Sequence, residues 1–185
     1  MNFEIRALDQ DTIEDVRLFT DKWIGSNYFS TVELQAILKK SIKSLKTVSL
    51  VAFHGKELAA VRLTYAPGKW INESTPGLTK EAWNVDTLDI AYFKSLFVSG
   101  NYQQQGLGKT LSNQSIELLK EMGAKAILCH SWLESPGNSS QKYLKRMGFS
   151  DVKTHEKFWY PVDYHCTRCG PSKCICTAIE MIKKI

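Results

Sequence analysis

The sequence predicts one α/β (α+β) domain spanning residues 1–185. Segments with the two-residue period of strands and the 3.6-residue period of helices alternate along it, with no linker or shift of composition between them. The second half holds a strand, a glycine-rich turn, a helix and another strand in immediate succession. A length of 185 residues with 43% hydrophobic content is enough to bury a sizeable core and falls within the range of one domain.

Phe3 and Ile5 alternate with Glu4 and Arg6, the pattern of a half-buried strand. Over residues 12–23, Ile13, Val16, Leu18, Phe19 and Trp23 recur at helical spacing, with Asp11 placed to cap the first turn. A second helix opens at Thr31 and carries Leu34, Ile37, Leu38, Ile42 and Leu45 on one face. Residues 48–53 and 58–65 are apolar and β-branched runs around His54-Gly55-Lys56-Glu57, so they read as a hairpin. Residues 66–86 form a long loop with Pro67, Gly68, Pro76 and Gly77, with one helical turn near 79–83. Strand 90–98, helix 108–122 and strand 126–132 follow, then a short helix over 139–147, an extended segment over 149–160 and a last strand over 177–185.

No apolar run approaches the roughly 20 residues needed to cross a bilayer, so no membrane partner is expected. Residues 1–7 lack the basic start and apolar stretch of a secretory signal, and a cytoplasmic address is the expectation. A net charge of +5 and a pI near 8.9 suit a polyanion, either a nucleic acid or a phosphate-rich cofactor.

The turn decides between them. Gln103, Gln104, Gln105, Gly106, Leu107, Gly108 and Lys109 lie where a strand passes into a helix, which aims backbone N–H groups at an anion. The nucleotide-triphosphatase loop needs glycine where Gln103 stands and an acidic residue in strand 126–132, which has none. The dinucleotide fingerprint needs a third glycine where Leu111 stands, and two helices precede the main strands. What remains is Gln, two residues, Gly, one residue, Gly.

This segment resembles motif A of the GCN5-related N-acetyltransferase (GNAT) family. Leu96, Phe97 and Val98 are similar to the strand end before that motif, and Tyr102 and Leu111 fall at positions where tyrosine and leucine are common. Asn138 is similar to the family's asparagine near the cofactor, and Lys145-Arg146-Met147-Gly148-Phe149 resembles its helix-ending signature. The likeness covers about residues 48–160. It implies a single acyl-CoA N-acyltransferase domain built on a mixed, mostly antiparallel sheet of six to seven strands flanked by about four helices.

It further implies acetyl-CoA as cosubstrate and direct attack of a deprotonated amine on the thioester in a ternary complex. Leu96, Phe97 and Val98 would pair with the pantetheine arm, amides of residues 104–109 would hold the pyrophosphate, and Lys109, Lys142 and Arg146 would meet outer phosphate. Many members carry a tyrosine four residues before the Gly of Gly-Phe to protonate the leaving thiolate. Here Leu144 has that place and Tyr143 stands one residue earlier, about 100° around the helix. For the base, the choices are Glu134, Tyr92, His130 and Asp89. Trp23, Tyr28, Phe29, Trp70 and Trp83 are available to wall an acceptor pocket.

Residues 165–176 form a cysteine-rich loop between the last two strands. Cys166, Cys169, Cys174 and Cys176 have spacings that suit a tetrahedral structural Zn²⁺, with His165 as a substitute ligand and with disulfides or a redox-responsive thiol pair as alternatives. The acetyltransferase pattern does not require this cluster. Two function classes follow: acetyl transfer to the amine of a small molecule or peptide, or a binding module centred on the cysteines. Around them lie only Arg168, Lys173, Lys183, Lys184 and Tyr164, too few basic and aromatic residues for a nucleic-acid surface. The sheet edges leave pairing into a homodimer open.

Overall fold

The computed structural model describes residues 2–72, 75–162, 164 and 166–185. In it β1 (Glu4–Ala7) leads to α1 (Ile13–Trp23) and α2 (Thr31–Ser41), followed by a two-strand ribbon of β2 (Ile42–Lys43) and β3 (Lys46–Thr47). Then come β4 (Leu50–His54), β5 (Glu57–Tyr65), β6 (Ile90–Val98), α3 (Leu107–Glu121), β7 (Ala126–Trp132), α4 (Ser139–Arg146), β8 (Ser150–His155) and β9 (Ala178–Lys184). The seven-stranded sheet runs β1-β4-β5-β6-β7-β9-β8, antiparallel throughout except between β6 and β7. This is the mixed, mostly antiparallel sheet that the family likeness implied.

Two helix ends differ from expectation. Thr12, not Asp11, caps α1, because Thr12 and Asp9 bond reciprocally: the Thr12 N–H donates to Asp9 Oδ1 at 3.0 Å and the Asp9 N–H to Thr12 Oγ1 at 3.1 Å. α2 starts on a capping box of Ser30 and Glu33 but stops at Ser41, short of Ile42 and Leu45. The Ser41 hydroxyl lies 2.8 Å from the Ile37 carbonyl, 2.7 Å from the Thr64 carbonyl and 2.7 Å from Ser49 Oγ, which ties the helix end to β5. The chain then turns through Ser44 and Leu45 at positive φ, and Leu45 stands fully in solvent at the ribbon tip.

Both sheet faces are covered. α1 and α2 lay Val16 and Leu34 on Val61, Leu63 and Leu128, and on the other face α3 lays Leu111, Ile116 and Leu119 over Ala60, Ile127 and Met181. Each fully buried side chain of this size contributes about 2 kcal/mol. The long loop between β5 and β6 is held by tryptophans: Trp70 Nε1 donates to the Ile90 carbonyl at 2.8 Å, and Trp83 Nε1 to Glu180 at 2.8 Å. No described helix is long and apolar enough to cross a membrane.

Leu63 has no exposed surface and sits in the middle of the α1/α2 layer. Leu63→Ala should therefore lower unfolding free energy by about 3 kcal/mol with an unchanged m-value in urea, as expected for a rigid core that leaves a cavity.

Candidate active site

The site begins with two strands that part. β6 and β7 pair in parallel only at Ile90 with Ala126, Ala91 with Ile127 and Tyr92 with Leu128. Beyond Tyr92, β6 stays on β5 as far as Val98 while β7 stays on β9 as far as Trp132. The register of β5 with β6 shifts between Leu63 and Thr64, which leaves Lys94 as the extra residue of a bulge just where the strands separate. A bulge adds local twist, so β6 turns away from its neighbour. Among the described residues, the β7-facing edge of β6 past Tyr92 has no strand partner.

That edge runs directly into the glycine turn. Gln103 Nε2 donates to the Val98 carbonyl at 3.2 Å, Gln104 takes positive φ, and Gly106 at φ 78° caps α3. A side chain at Gly106 would be strained in this conformation, while the space beside it is open. Gly108 serves closeness instead: a Cβ there would come within 3.1 Å of Leu96, so the helix start sits against β6. Amides in the first turn of α3 have no partner inside the helix, and with the helix dipole behind them they are suited to receive an anion. A cleft of about 430 Å³ joins these parts, lined by Leu96, Val98, Gln104, Gly108, Lys109 and Tyr143, with Arg146 at its margin.

Tyr143 thus reaches the cleft although it is offset by one residue from the family position. Its hydroxyl lies 2.7 Å from Ser112 Oγ and 3.1 Å from the Gly108 carbonyl, and burial raises its pKa. Leu144 points into the core beneath α3. Asn138 caps α4 with positive φ, and its amide donates to Gln141 at 2.9 Å. Its Oδ1 is buried with no partner among the described residues, an acceptor waiting for a donor. Lys142 donates to the Gly137 carbonyl at 2.8 Å.

On the opposite side of the parting lies a hydrogen-bonded Tyr92–His130 pair. The Tyr92 hydroxyl is 3.0 Å from His130 Nδ1, and His130 Nε2 is 2.7 Å from the Gly77 carbonyl. A carbonyl only accepts, so Nε2 carries the imidazole proton and Nδ1 accepts from Tyr92. Burial raises the Tyr92 pKa and lowers that of His130 to about 4, a pull that the Gly77 bond and the Glu180 charge only partly offset. Glu180 lies opposite His130 in the β7–β9 register and is fully buried. Burial alone would raise its pKa, but bonds from the Thr79 N–H, the Thr79 hydroxyl, His155 and Trp83 outweigh this and hold it below the usual carboxylate value. Phe158 stacks on His130 at 4.3 Å and Trp70 on Tyr92 at 4.6 Å.

Of the other residues considered for the base, Glu134 uses both oxygens on the Thr177 N–H at 3.1 and 3.0 Å and pairs with Arg168 at 3.3 Å. Asp89 lies at the far end of β6, 2.6 Å from Lys125 Nζ. Trp70 and Trp83 are core residues, whereas Tyr28 meets Phe97 edge-on at 5.5 Å and lines the parting. Sequence reasoning missed Glu180, His155 and Phe158. A lone carboxylate in an apolar final strand was the available signal, but only the register sets it opposite His130.

The cysteines converge. All four Sγ atoms of Cys166, Cys169, Cys174 and Cys176 lie within 4.8 Å of one another, with Cys166–Cys176 at 3.9 Å and Cys169–Cys176 at 3.7 Å. The Cys169 N–H points at Cys166 Sγ at 3.4 Å and the Gly170 N–H donates to the Cys166 carbonyl at 2.9 Å. His165 lies outside the described residues.

Comparison with known proteins adds to this geometry. The model of the acetyltransferase (GNAT) family matches residues 27–149. Among solved structures the chain is similar to the ribosomal-protein-S18-alanine N-acetyltransferase from Escherichia coli, at 16% identity, TM-score 0.70, and coverage of 100% of this chain and 94% of that one. It is similar to Arabidopsis thaliana NAA60 in complex with acetyl-CoA, at 15% identity, TM-score 0.71, and coverage of 100% and 99%. Arabidopsis thaliana Naa50 in complex with the bisubstrate analogue CoA-Ac-MVNAL aligns at 12% identity, TM-score 0.67, with both chains covered at 100%. At such identities the likeness is one of fold. No curated protein matches the chain.

The neutral, buried His130 makes stability depend on pH with a defined sign. Its folded value near 4 lies below the ordinary 6.5, so as pH falls through that window the unfolded chain takes up the proton first. Unfolding free energy should drop by up to about 3 kcal/mol between pH 7 and 4. Glu180, whose pKa is also lowered, adds a further loss below its ordinary 4.5. Urea unfolding at stepped pH checks this, and His130→Gln should flatten the slope between pH 6.5 and 4.5.

Proposed function

The chain belongs to the acetyltransferase (GNAT) family, and on that premise we propose that it transfers the acetyl group of acetyl-CoA to the α-amine of a peptide or a small amine of similar basicity. The observation that carries the cofactor half is the free edge of β6 running into the Gly106 turn and the start of α3. Backbone groups of Leu96, Phe97 and Val98 pair with the pantetheine arm as an added strand would, amides of residues 104–109 hold the pyrophosphate, and Gln103 fixes the turn by its bond to Val98. Asn138 Oδ1 accepts from a pantetheine amide, which would satisfy an otherwise orphaned atom. Lys109 and Arg146 face outer phosphate.

Tyr92 and His130 manage the proton on the acceptor side. As the amine nitrogen bonds to the thioester carbon its own acidity rises. Its proton passes to the Tyr92 oxygen while the Tyr92 hydroxyl proton moves to His130 Nδ1, and the new imidazolium rests between the Gly77 carbonyl and the Glu180 charge. The C–S bond breaks and the thiolate takes the proton of the Tyr143 hydroxyl. A base as weak as this His130 is poorly suited to a strongly protonated amine. At pH 7 about one in seven α-amines is neutral, against about one in 2,500 lysine side chains, which favours an α-amine. One structural neighbour is described as a ribosomal-protein-S18-alanine N-acetyltransferase and another holds the bisubstrate analogue CoA-Ac-MVNAL, which supports the same choice.

The cysteines suit one structural Zn²⁺. Four sulfurs about 2.3 Å from a tetrahedral zinc lie about 3.8 Å apart, close to the 3.7 and 3.9 Å separations above. The remaining separations are at most 4.8 Å. As a nucleic-acid module the same loop would present few basic or aromatic groups, and nothing in its geometry favours that reading.

Isothermal titration with acetyl-CoA, alongside Gly106→Glu, tests the cofactor site: heat lost in the variant supports it, and no heat from the folded parent protein removes it. A pool of peptides with free N-termini should then be acetylated, while the same peptides blocked at the N-terminus but carrying lysine should not. Tyr92→Phe should lower kcat about a hundredfold with acetyl-CoA affinity unchanged.

A further inference from the structure

The connection between β8 and β9, residues 156–177, has no helix or ladder among its described residues beyond one bridge between Cys166 and Gly170. Segments this long without regular structure are uncommon in compact domains unless something fixes them or they carry function. Ordering each such residue costs backbone entropy, and the apolar cluster formed by Cys166, Cys174 and Cys176 with Trp132, Trp159 and Tyr164 is small. A metal bound by thiolates stabilises such a segment directly, because the site exists only when the chain is folded around it.

Two of the four cysteines connect outward, in different directions. Cys174 Sγ receives the Tyr164 hydroxyl at 3.3 Å, and the Tyr164 ring meets Tyr28 edge-on at 6.4 Å. Tyr28 in turn meets Phe29 at 4.7 Å and Phe97 at 5.5 Å, so this arm ends on the loop between α1 and α2 and on the unpaired part of β6. Cys176 supplies its carbonyl to the Phe158 N–H at 3.1 Å, and Phe158 is the ring stacked on His130. Trp159 packs edge-on against Phe158 at 5.0 Å and against the cysteine cluster. Glu134, through Thr177 and Arg168, anchors the base of the same connection at the end of β7. The buried indole N–H of Trp132, which packs on the cluster, interacts with Cys176, a contact that a charged thiolate would strengthen.

The two arms close around the parting of β6 and β7 on the side of Tyr92 and His130, away from the pyrophosphate turn. We infer that the cysteine knuckle, held by Zn²⁺, is the roof of the acceptor cleft: the ion keeps Tyr164 against Tyr28 and Phe158 against His130, so acceptor recognition depends on the metal while acetyl-CoA binding does not. Tyr164 is the positioning residue of the first arm. This rests on the zinc reading and on the placement of the acceptor beside Tyr92.

The test uses the full chain and does not require the natural acceptor. Metal content of the purified protein, and the cobalt–thiolate charge-transfer band after exchange into Co²⁺, report the ion itself; a protein that takes up neither metal overturns the zinc reading and the inference with it. Hydrogen exchange with and without chelator then reads the arms. Chelation should speed exchange in residues 156–177 and also in residues 24–30, leaving residues 96–110 and the Kd for acetyl-CoA unchanged. Metal that binds but whose removal affects only residues 166–176 overturns the inference and leaves the zinc reading standing.

If chelation unfolds the whole chain, Tyr164→Ala decides, since it removes the contact while all four cysteines remain. With cobalt still bound, exchange in residues 24–30 should rise about fivefold to tenfold, the factor that one edge-to-face aromatic pair supplies. With any accepted peptide from the pool, KM should rise more than kcat falls. Unchanged exchange in residues 24–30 overturns the inference.

Discussion

Parallel pairing between β6 and β7 lasts for three residues on each strand and then stops, and most of what this fold can do depends on that interruption. Each strand keeps its other neighbour, so neither loses its place in the sheet, but a length of β6 backbone is left without a strand partner. In water such an edge invites another strand. Here it lies inside a cleft that leads to the Gly106 turn and the positive end of α3, where the proposed cofactor arm would take the place of a strand. The bulge at Lys94 gives the interruption its cause, because the added residue twists β6 out of line with β7.

The same opening brings ionisable groups into the interior, and the chain meets their cost in different ways. Glu180 is fully buried and surrounded by four donors from two other segments, the long β5–β6 loop and β8, which stabilise the carboxylate and pin the long loop to β9. His130 stays neutral. Arg62 keeps its charge, with burial lowering its pKa only to about 10. Its guanidinium lies 3.3 Å from the centre of the Phe93 ring, while Nε and Nη2 find no hydrogen-bond partner among the described residues. These arrangements gather the buried ionisable groups on one face of the opening, away from the face proposed for phosphate.

The cysteine connection ties this opening to a part of the chain that the family pattern leaves free. Its sulfurs lie at one end of β9 while its aromatic residues reach both the loop after α1 and the ring of His130. A long connection can line a cleft accurately only if its own conformational freedom is removed. On the proposed reading, four thiolates around one ion would do this with few residues, where an apolar core of comparable effect would need many.

Local patterns made much of this legible in the sequence. Gln103, Gly106 and Gly108 marked the turn between β6 and α3 because glycine geometry and helix ends act over a few residues, and the order of strands and helices followed from periodicity for the same reason. The cysteine spacing signalled a cluster without its neighbours. Tertiary structure decided what depends on distant pairing. It set Glu180 opposite His130, committed Glu134 to the Thr177 amide, ended α2 at Ser41 through a hydroxyl bond to β5, and carried Tyr143 into the cleft despite its offset. Burial, and with it the protonation state of His130 and Glu180, is set by residues far away along the chain, so it could be read only after the sheet had brought them together.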